Sequence, residues 1–87
     1  MSKPVLVIYE EHLAPVRFRG RKKKVYGEQE GNRIRINPDQ TEEERLDTLV
    51  HELWHFLEPE ATEEQVIERA AVISTVLWKY GYRRVHQ

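Results

Sequence analysis

The chain lacks cysteine altogether and lacks any long hydrophobic run. Without cysteine, disulfide bonds and thiolate metal ligands are excluded. The apolar stretch at residues 4–9 is too short for a membrane span or a signal peptide, so we expect a cytoplasmic protein without a membrane partner. The length of 87 residues and the 39% hydrophobic content suffice for one modest core, which predicts a single domain over residues 1–87.

What the chain does contain is the sequence His-Glu-Leu-Trp-His at residues 51–55, an H-E-x-x-H pattern. On an α-helix, side chains four positions apart lie one above the other, so His51 and His55 can bind the same metal ion. Glu52 lies about 100° round the helix from His51, where a carboxylate can approach a metal-bound water without being a ligand. We predict a metal site with Glu52 as general base; the alternative is two ordinary helix histidines.

The sequence also predicts where the helices begin and end. Two residue pairs have the spacing of a capping box and are followed by a helix-stopping residue: Thr41 with Glu44 before Pro59, and Thr62 with Gln65 before Gly81. These signals predict an active helix over about residues 41–57 and a second helix over about residues 63–80. The H-E-x-x-H pattern therefore lies within a helix.

A catalytic zinc ion usually has three protein ligands and one open position. A metzincin would place glycine and histidine where this chain has Glu58 and Ala61, so a carboxylate is the remaining choice. The competing side chains are Glu58, Glu60, Glu63, Glu64 and Glu68. A helical wheel places Glu63 on the apolar face of the second helix, where a buried carboxylate needs a partner, and places Glu64 and Glu68 towards the opposite side. We predict Glu63, with Glu64 or Glu68 as alternatives; the other reading of Glu63 is a contact with the positive end of its own helix.

Strand signals precede the helices. Four segments have strand character, at residues 4–9, 16–19, 24–26 and 33–37. The last of these alternates cleanly, with Ile34 and Ile36 on one face, and the Glu-Gly-Asn sequence at residues 30–32 predicts a hairpin turn into it. The predicted fold is therefore α+β, a small antiparallel β-meander packed on two α-helices.

Over residues 33–84 the chain resembles the very small zincin-like metallopeptidases of bacteriophages and bacterial genomes. The resemblance rests on the Arg-Ile-Arg-Ile-Asn strand, the H-E-x-x-H helix, the Pro-containing turn, Thr-Glu-Glu-x-Val and the final Leu-Trp-Lys-Tyr-Gly-Tyr-Arg. It implies a gluzincin-type peptidase that binds Zn²⁺ through two histidines and Glu63 and hydrolyses a peptide or protein substrate. In zincins a strand beside the active helix commonly holds extended peptide, which predicts substrate binding at Arg33, Arg35 and Asn37. The alternative is the solvated outer face of an ordinary strand.

A basic segment suggests a second hypothesis. Six cations lie within eight residues: Arg17, Arg19, Arg21, Lys22, Lys23 and Lys24. They could contact phosphates of a nucleic acid, as expected for a protease of the SprT-like kind, or form a solvated hairpin whose charge prevents aggregation. A third hypothesis is a catalytically latent module that binds zinc and acts through protein contacts. We expect a monomer or a weak homodimer.

Overall fold

The computed structural model describes residues 5–85, which form five short strands and two helices. In chain order the elements are β1 (Val7–Glu10), β2 (Val16–Phe18), β3 (Arg21–Lys23), β4 (Gly27–Glu30), β5 (Arg33–Ile36), α1 (Glu42–Leu57) and α2 (Glu63–Lys79). The predicted α+β class, with a small sheet packed on two helices, is confirmed. Neither helix is long and apolar enough to cross a membrane, within the part of the chain that the structure describes.

Three of the strands form the main sheet, in the order β1-β5-β4. Strands β4 and β5 are antiparallel and are joined by the predicted hairpin turn, in which Gly31 has a φ of 58°. Strand β1 departs from the antiparallel expectation, because it pairs with β5 in parallel. Parallel pairing needs a long connection. Residues 11–32, which include β4, provide it, and β1 thereby reaches the side of β5 that β4 leaves open.

Within that connection, β2 and β3 form a separate antiparallel hairpin. Its turn residues Arg19 and Gly20 both have positive φ, 51° and 76°, as a tight two-residue hairpin requires. The strand predicted at residues 16–19 is observed as β2. The strand predicted at residues 24–26 is wrong, because those residues link β3 to β4.

Both helices begin where their capping boxes predict. Thr41 Oγ1 accepts from the backbone N–H of Glu44 at 3.1 Å, and the Glu44 carboxylate accepts from the backbone N–H of Thr41 at 2.9 Å. Thr62 and Gln65 make the same reciprocal pair at the start of α2. Each pair satisfies two backbone donors that the helix itself leaves unpaired, and so fixes the first turn.

The core forms where α1 packs against the sheet, at β4 and β5, and against α2. Its buried apolar side chains are Ile34, Ile36, Val66 and Ala70. Polar contacts add to this core by joining α1 to α2. Ser74 Oγ donates to Asp47 Oδ1 at 3.0 Å, and Glu58 accepts from both Trp54 Nε1, at 3.0 Å, and Arg69, at 2.7 Å. The end of α1 and the start of α2 are therefore held together, and this is the place where the H-E-x-x-H histidines meet Glu63.

Candidate metal centre

The two histidines of the H-E-x-x-H sequence meet on one side of α1. His51 Nε2 and His55 Nε2 are 3.2 Å apart, and the two rings lie edge to face with centroids 4.9 Å apart. Both side chains are half-buried. The helical spacing has thus brought two nitrogen donors to one point, as predicted.

Glu63 completes the cluster from the first residue of α2. Its Oε1 lies 2.8 Å from His51 Nε2, and its Oε2 lies 2.9 Å from His55 Nε2. These three residues are the group that could hold a metal ion among the described residues, with one donor atom from each within 4.8 Å of the others. Glu64 and Glu68 are exposed on the same helix and lie outside this group. Glu63 thus faces the histidines from the first turn of α2, but its side chain is 61% exposed and not buried as the helical wheel predicted. Its role as a metal ligand, like zinc binding itself, stays a prediction.

The donor set fits a zinc ion. With Zn–N and Zn–O bonds of about 2.0–2.1 Å, tetrahedral geometry places the ligand atoms roughly 3.3 Å apart. The two Nε2 atoms are 3.2 Å apart, and each lies close to a different oxygen of Glu63, at 2.8 Å for His51 and 2.9 Å for His55. A movement of the Glu63 carboxylate that presents one oxygen to both histidines would give three donors near that spacing. The Glu63 side chain is 61% exposed and has room for this movement.

Glu52 lies beside the cluster and is only 7% exposed. Burial raises the pKa of the Glu52 carboxyl above its usual value. Positive charge on His51 or His55 opposes this effect on the pKa, whereas the carboxylates of Glu63 and Glu28 add to it. A carboxylate with a raised pKa accepts a proton more readily, which suits a general base.

Strand β4 comes close to α1 at Gly27. A Cβ at this position would lie 2.5 Å from Thr48 Cγ2, 3.2 Å from Glu52 Cγ and 3.3 Å from Arg35 O. Only glycine permits this approach. The close packing sets β4 directly beside Glu52 and the H-E-x-x-H histidines.

We therefore expect Gly27→Ala to lower the melting temperature by roughly 5–15 °C, because overpacking costs about 1–3 kcal/mol. Thermal unfolding of the metal-free protein measures this. Thr48→Ser removes the Cγ2 methyl and keeps the hydroxyl that donates to Gln40. In the double variant it should restore part of the lost stability, and purely additive losses would argue against the contact at Gly27.

The predicted substrate rim at residues 33–37 is wrong. Strand β5 lies in the middle of the sheet, with β1 on one side and β4 on the other, so its backbone cannot accept a further strand. Asn37 is 3% exposed and structural: its Nδ2 donates to Val25 O at 2.9 Å, and its Oδ1 accepts from the N–H of Asp39 at 3.0 Å. Arg35 forms ion pairs with Glu28 and Glu11. Arg33 is exposed and is not part of the candidate site.

The edge strand beside the cluster is β4. Among the described strands it pairs with β5 alone. Residues Gly27, Glu28 and Gln29 border the same hollow as His51, His55, Glu52 and Glu63. The polar sequence Gly-Glu-Gln-Glu has no apolar alternation and was not predicted as a strand. The hairpin turn at residues 30–32 was the signal that could have revealed it, because a hairpin needs a strand on each side.

A cleft of about 480 Å³ continues from the cluster past Gly27 to the β2–β3 hairpin. Its lining includes His51, Glu52 and Glu63 at one end and Val16, Lys23 and Lys24 at the other. Lys24 forms an ion pair with Asp39, with 3.6 Å between Nζ and Oδ2. The basic segment therefore borders the candidate site, which its sequence alone did not indicate.

Comparison of the chain with models of protein families, with curated proteins and with solved structures finds no significant match. The residues of the site and their geometry are therefore the grounds for a functional proposal.

Proposed function

We propose that the protein is a zinc-dependent metallopeptidase. The observation that carries the proposal is the convergence of His51, His55 and Glu63 beside the buried carboxylate of Glu52. A structural zinc site is normally closed by four protein ligands. In the described part of the chain this group has three, which leaves one position for water or substrate. The set therefore has the composition of a catalytic site.

In the proposed hydrolysis, the metal ligands and Glu52 have separate roles. His51, His55 and Glu63 would hold the ion, and zinc bound there would supply Lewis-acid chemistry. Glu52 accepts the proton of the attacking water and passes it to the leaving amine nitrogen. The burial that raises the pKa of Glu52 favours the first of these transfers and also keeps bulk water away from the carboxylate.

Strand β4 supplies the surface for the substrate. Its free edge runs past the cluster, and its unpaired backbone groups can bind an extended peptide by strand addition. This mode of binding requires main-chain contacts more than particular side chains. The polar side chains of β4 are therefore compatible with the role, and the residues proposed to hold substrate are Gly27–Glu30.

The proposal is tested with purified protein, loaded with one equivalent of zinc and incubated with a diverse peptide mixture whose products are identified by mass spectrometry. We expect discrete cleavage products, their loss on chelation, and their return with zinc but not with magnesium. Magnesium prefers oxygen ligands in octahedral geometry and does not suit two imidazoles. Zinc bound without any cleavage would contradict the peptidase proposal and favour the latent zinc module.

A further inference from the structure

We propose that the β2–β3 hairpin is a specificity wall of the cleft, which selects peptides carrying acidic side chains just after the bond to be cleaved. The charges that would recognise them are those of Arg21 and Lys23. This inference rests on the peptidase function proposed above and adds the class of substrate.

The strand register assigns each hairpin side chain to one of two faces. The cross-strand partners are Val16 with Lys23, Arg17 with Lys22, and Phe18 with Arg21. Partners share a face, and successive residues alternate between faces. One face therefore carries Val16, Phe18, Arg21 and Lys23, and the other carries Arg17 and Lys22. Val16 and Lys23 line the cleft together with His51, so the first of these is the cleft face.

The cleft face offers free positive charge next to exposed apolar surface. Arg21 and Lys23 are exposed, and within the described residues neither makes an ion pair. Val16 and Phe18 are 53% and 55% exposed, and Lys23 Nζ lies 5.2 Å from the centroid of the Phe18 ring. A peptide with mixed acidic and apolar side chains complements this face.

The charge of the cleft favours a peptide over a nucleic acid. Beyond the hairpin, the lining includes four carboxylates, those of Glu44, Asp47, Glu52 and Glu63. A nucleic acid following the cleft would bring a phosphate against them at every nucleotide. A peptide places its carboxylates at the hairpin and only its neutral backbone over the acidic residues.

The direction of β4 indicates which side of the cleaved bond meets the hairpin. The strand runs from Gly27, beside the hairpin, to Glu30, away from it. A peptide added in the more stable antiparallel direction runs the opposite way, so that its C-terminal part approaches Gly27. The acidic side chains are therefore those that follow the cleaved bond.

The experiment uses three peptides of one sequence: a neutral form, a form with two glutamates after the cleaved bond, and a form with the two glutamates before it. Binding is measured by fluorescence anisotropy with zinc-loaded Glu52→Gln protein, and cleavage is measured with zinc-loaded protein that retains Glu52. The test variant is Arg21→Glu/Lys23→Glu. The matched control is Arg17→Glu/Lys22→Glu, which makes the same charge change on the other face of the same strands.

We expect the peptide with glutamates after the bond to bind about 10-fold more tightly than the neutral peptide, as two partly exposed ion pairs allow. The Arg21→Glu/Lys23→Glu variant should lose this preference, while the control should keep it within about twofold, because screening limits the reach of its charges. An equal loss in both variants, or an equal preference for glutamates on either side, would overturn the proposal. Tighter binding of a single-stranded oligonucleotide than of the acidic peptide would replace it with a nucleic-acid surface.

The two readouts separate this proposal from the peptidase function. Preferential binding without cleavage of any peptide would contradict the peptidase function and leave the acidic-peptide surface standing. Cleavage of all three peptides at equal rates, with equal binding, would support the peptidase and overturn the specificity wall.

Discussion

Glu52→Gln is expected to lower kcat by about 10²–10⁴-fold while the protein retains one zinc ion per chain, because glutamine keeps the shape of the side chain but cannot accept a proton. Glu52 lies beside the group formed by His51, His55 and Glu63 and is not part of it. Metal content should therefore be unchanged. The two measurements are kcat at saturating peptide and elemental analysis of the same preparation.

A folding control accompanies this variant. Glu52 is 7% exposed and lies next to Gly27 of β4. Because glutamine has nearly the same volume as glutamate, the substitution preserves this packing. Burying a neutral amide also avoids the free-energy cost of burying a charge. We expect the melting temperature of metal-free Glu52→Gln not to fall below that of the wild type. Unchanged turnover would show that Glu52 is not the base, and loss of zinc would show that it supports the metal site instead.

The parts of the site that the sequence predicts are those set by local geometry. His51 and His55 meet because a helix brings positions four apart together, and the start of each helix follows from a capping box within four residues. Glu63 could be chosen over Glu64 and Glu68 as the third ligand candidate, because a helical wheel shows which side of α2 each residue lies on. Each of these inferences needs only a short stretch of chain.

The position of each strand in the sheet could not be predicted in this way. Which strand is central depends on pairing between distant segments, and the alternation of Ile34 and Ile36 shows a buried face without showing whether the edges are free. For this reason the sequence favours β5 as the substrate rim, although the edge strand beside the candidate site is β4. The parallel pairing of β1 could not be predicted for the same reason. It depends on the separate hairpin that lies between β1 and β4 in the chain, and the sequence of β1 does not show how that hairpin folds.

The basic segment shows the same limit. Its sequence contains six positively charged side chains but does not show which face of the fold each one lies on. The register of β2 with β3 divides the four charges within these strands between two faces, and the fold sets one face beside the cluster of His51, Glu52 and Glu63. Arg21 and Lys23 thereby differ from Arg17 and Lys22, although their sequence contexts are alike. The role in substrate recognition is therefore proposed for Arg21 and Lys23 and not for the whole basic segment.

Zinc is expected to raise the melting temperature of the wild type by roughly 10–20 °C, because a ligand at about 100 times its Kd adds about 2.7 kcal/mol to the free energy of unfolding. Glu63→Ala should remove most of this increase. Mutating a residue that only hydrogen-bonds to a metal ligand typically lowers metal affinity by about 10–100-fold, so loss of a direct ligand should lower it further. Differential scanning fluorimetry at increasing zinc concentrations, together with elemental analysis, measures both effects.

The matched controls for Glu63→Ala are Glu64→Ala and Glu68→Ala, which remove the same charge from exposed positions of the same helix. Without metal, all three variants should melt within a few degrees of the wild type, since the Glu63 side chain is 61% exposed and exposed ion pairs contribute only about 0–1 kcal/mol. With zinc, only Glu63→Ala should fail to gain stability. Loss of zinc in Glu64→Ala or Glu68→Ala would contradict the assignment of Glu63. Wild-type zinc affinity in Glu63→Ala would mean that the contacts to His51 and His55 are ordinary ion pairs and that the metal lies elsewhere.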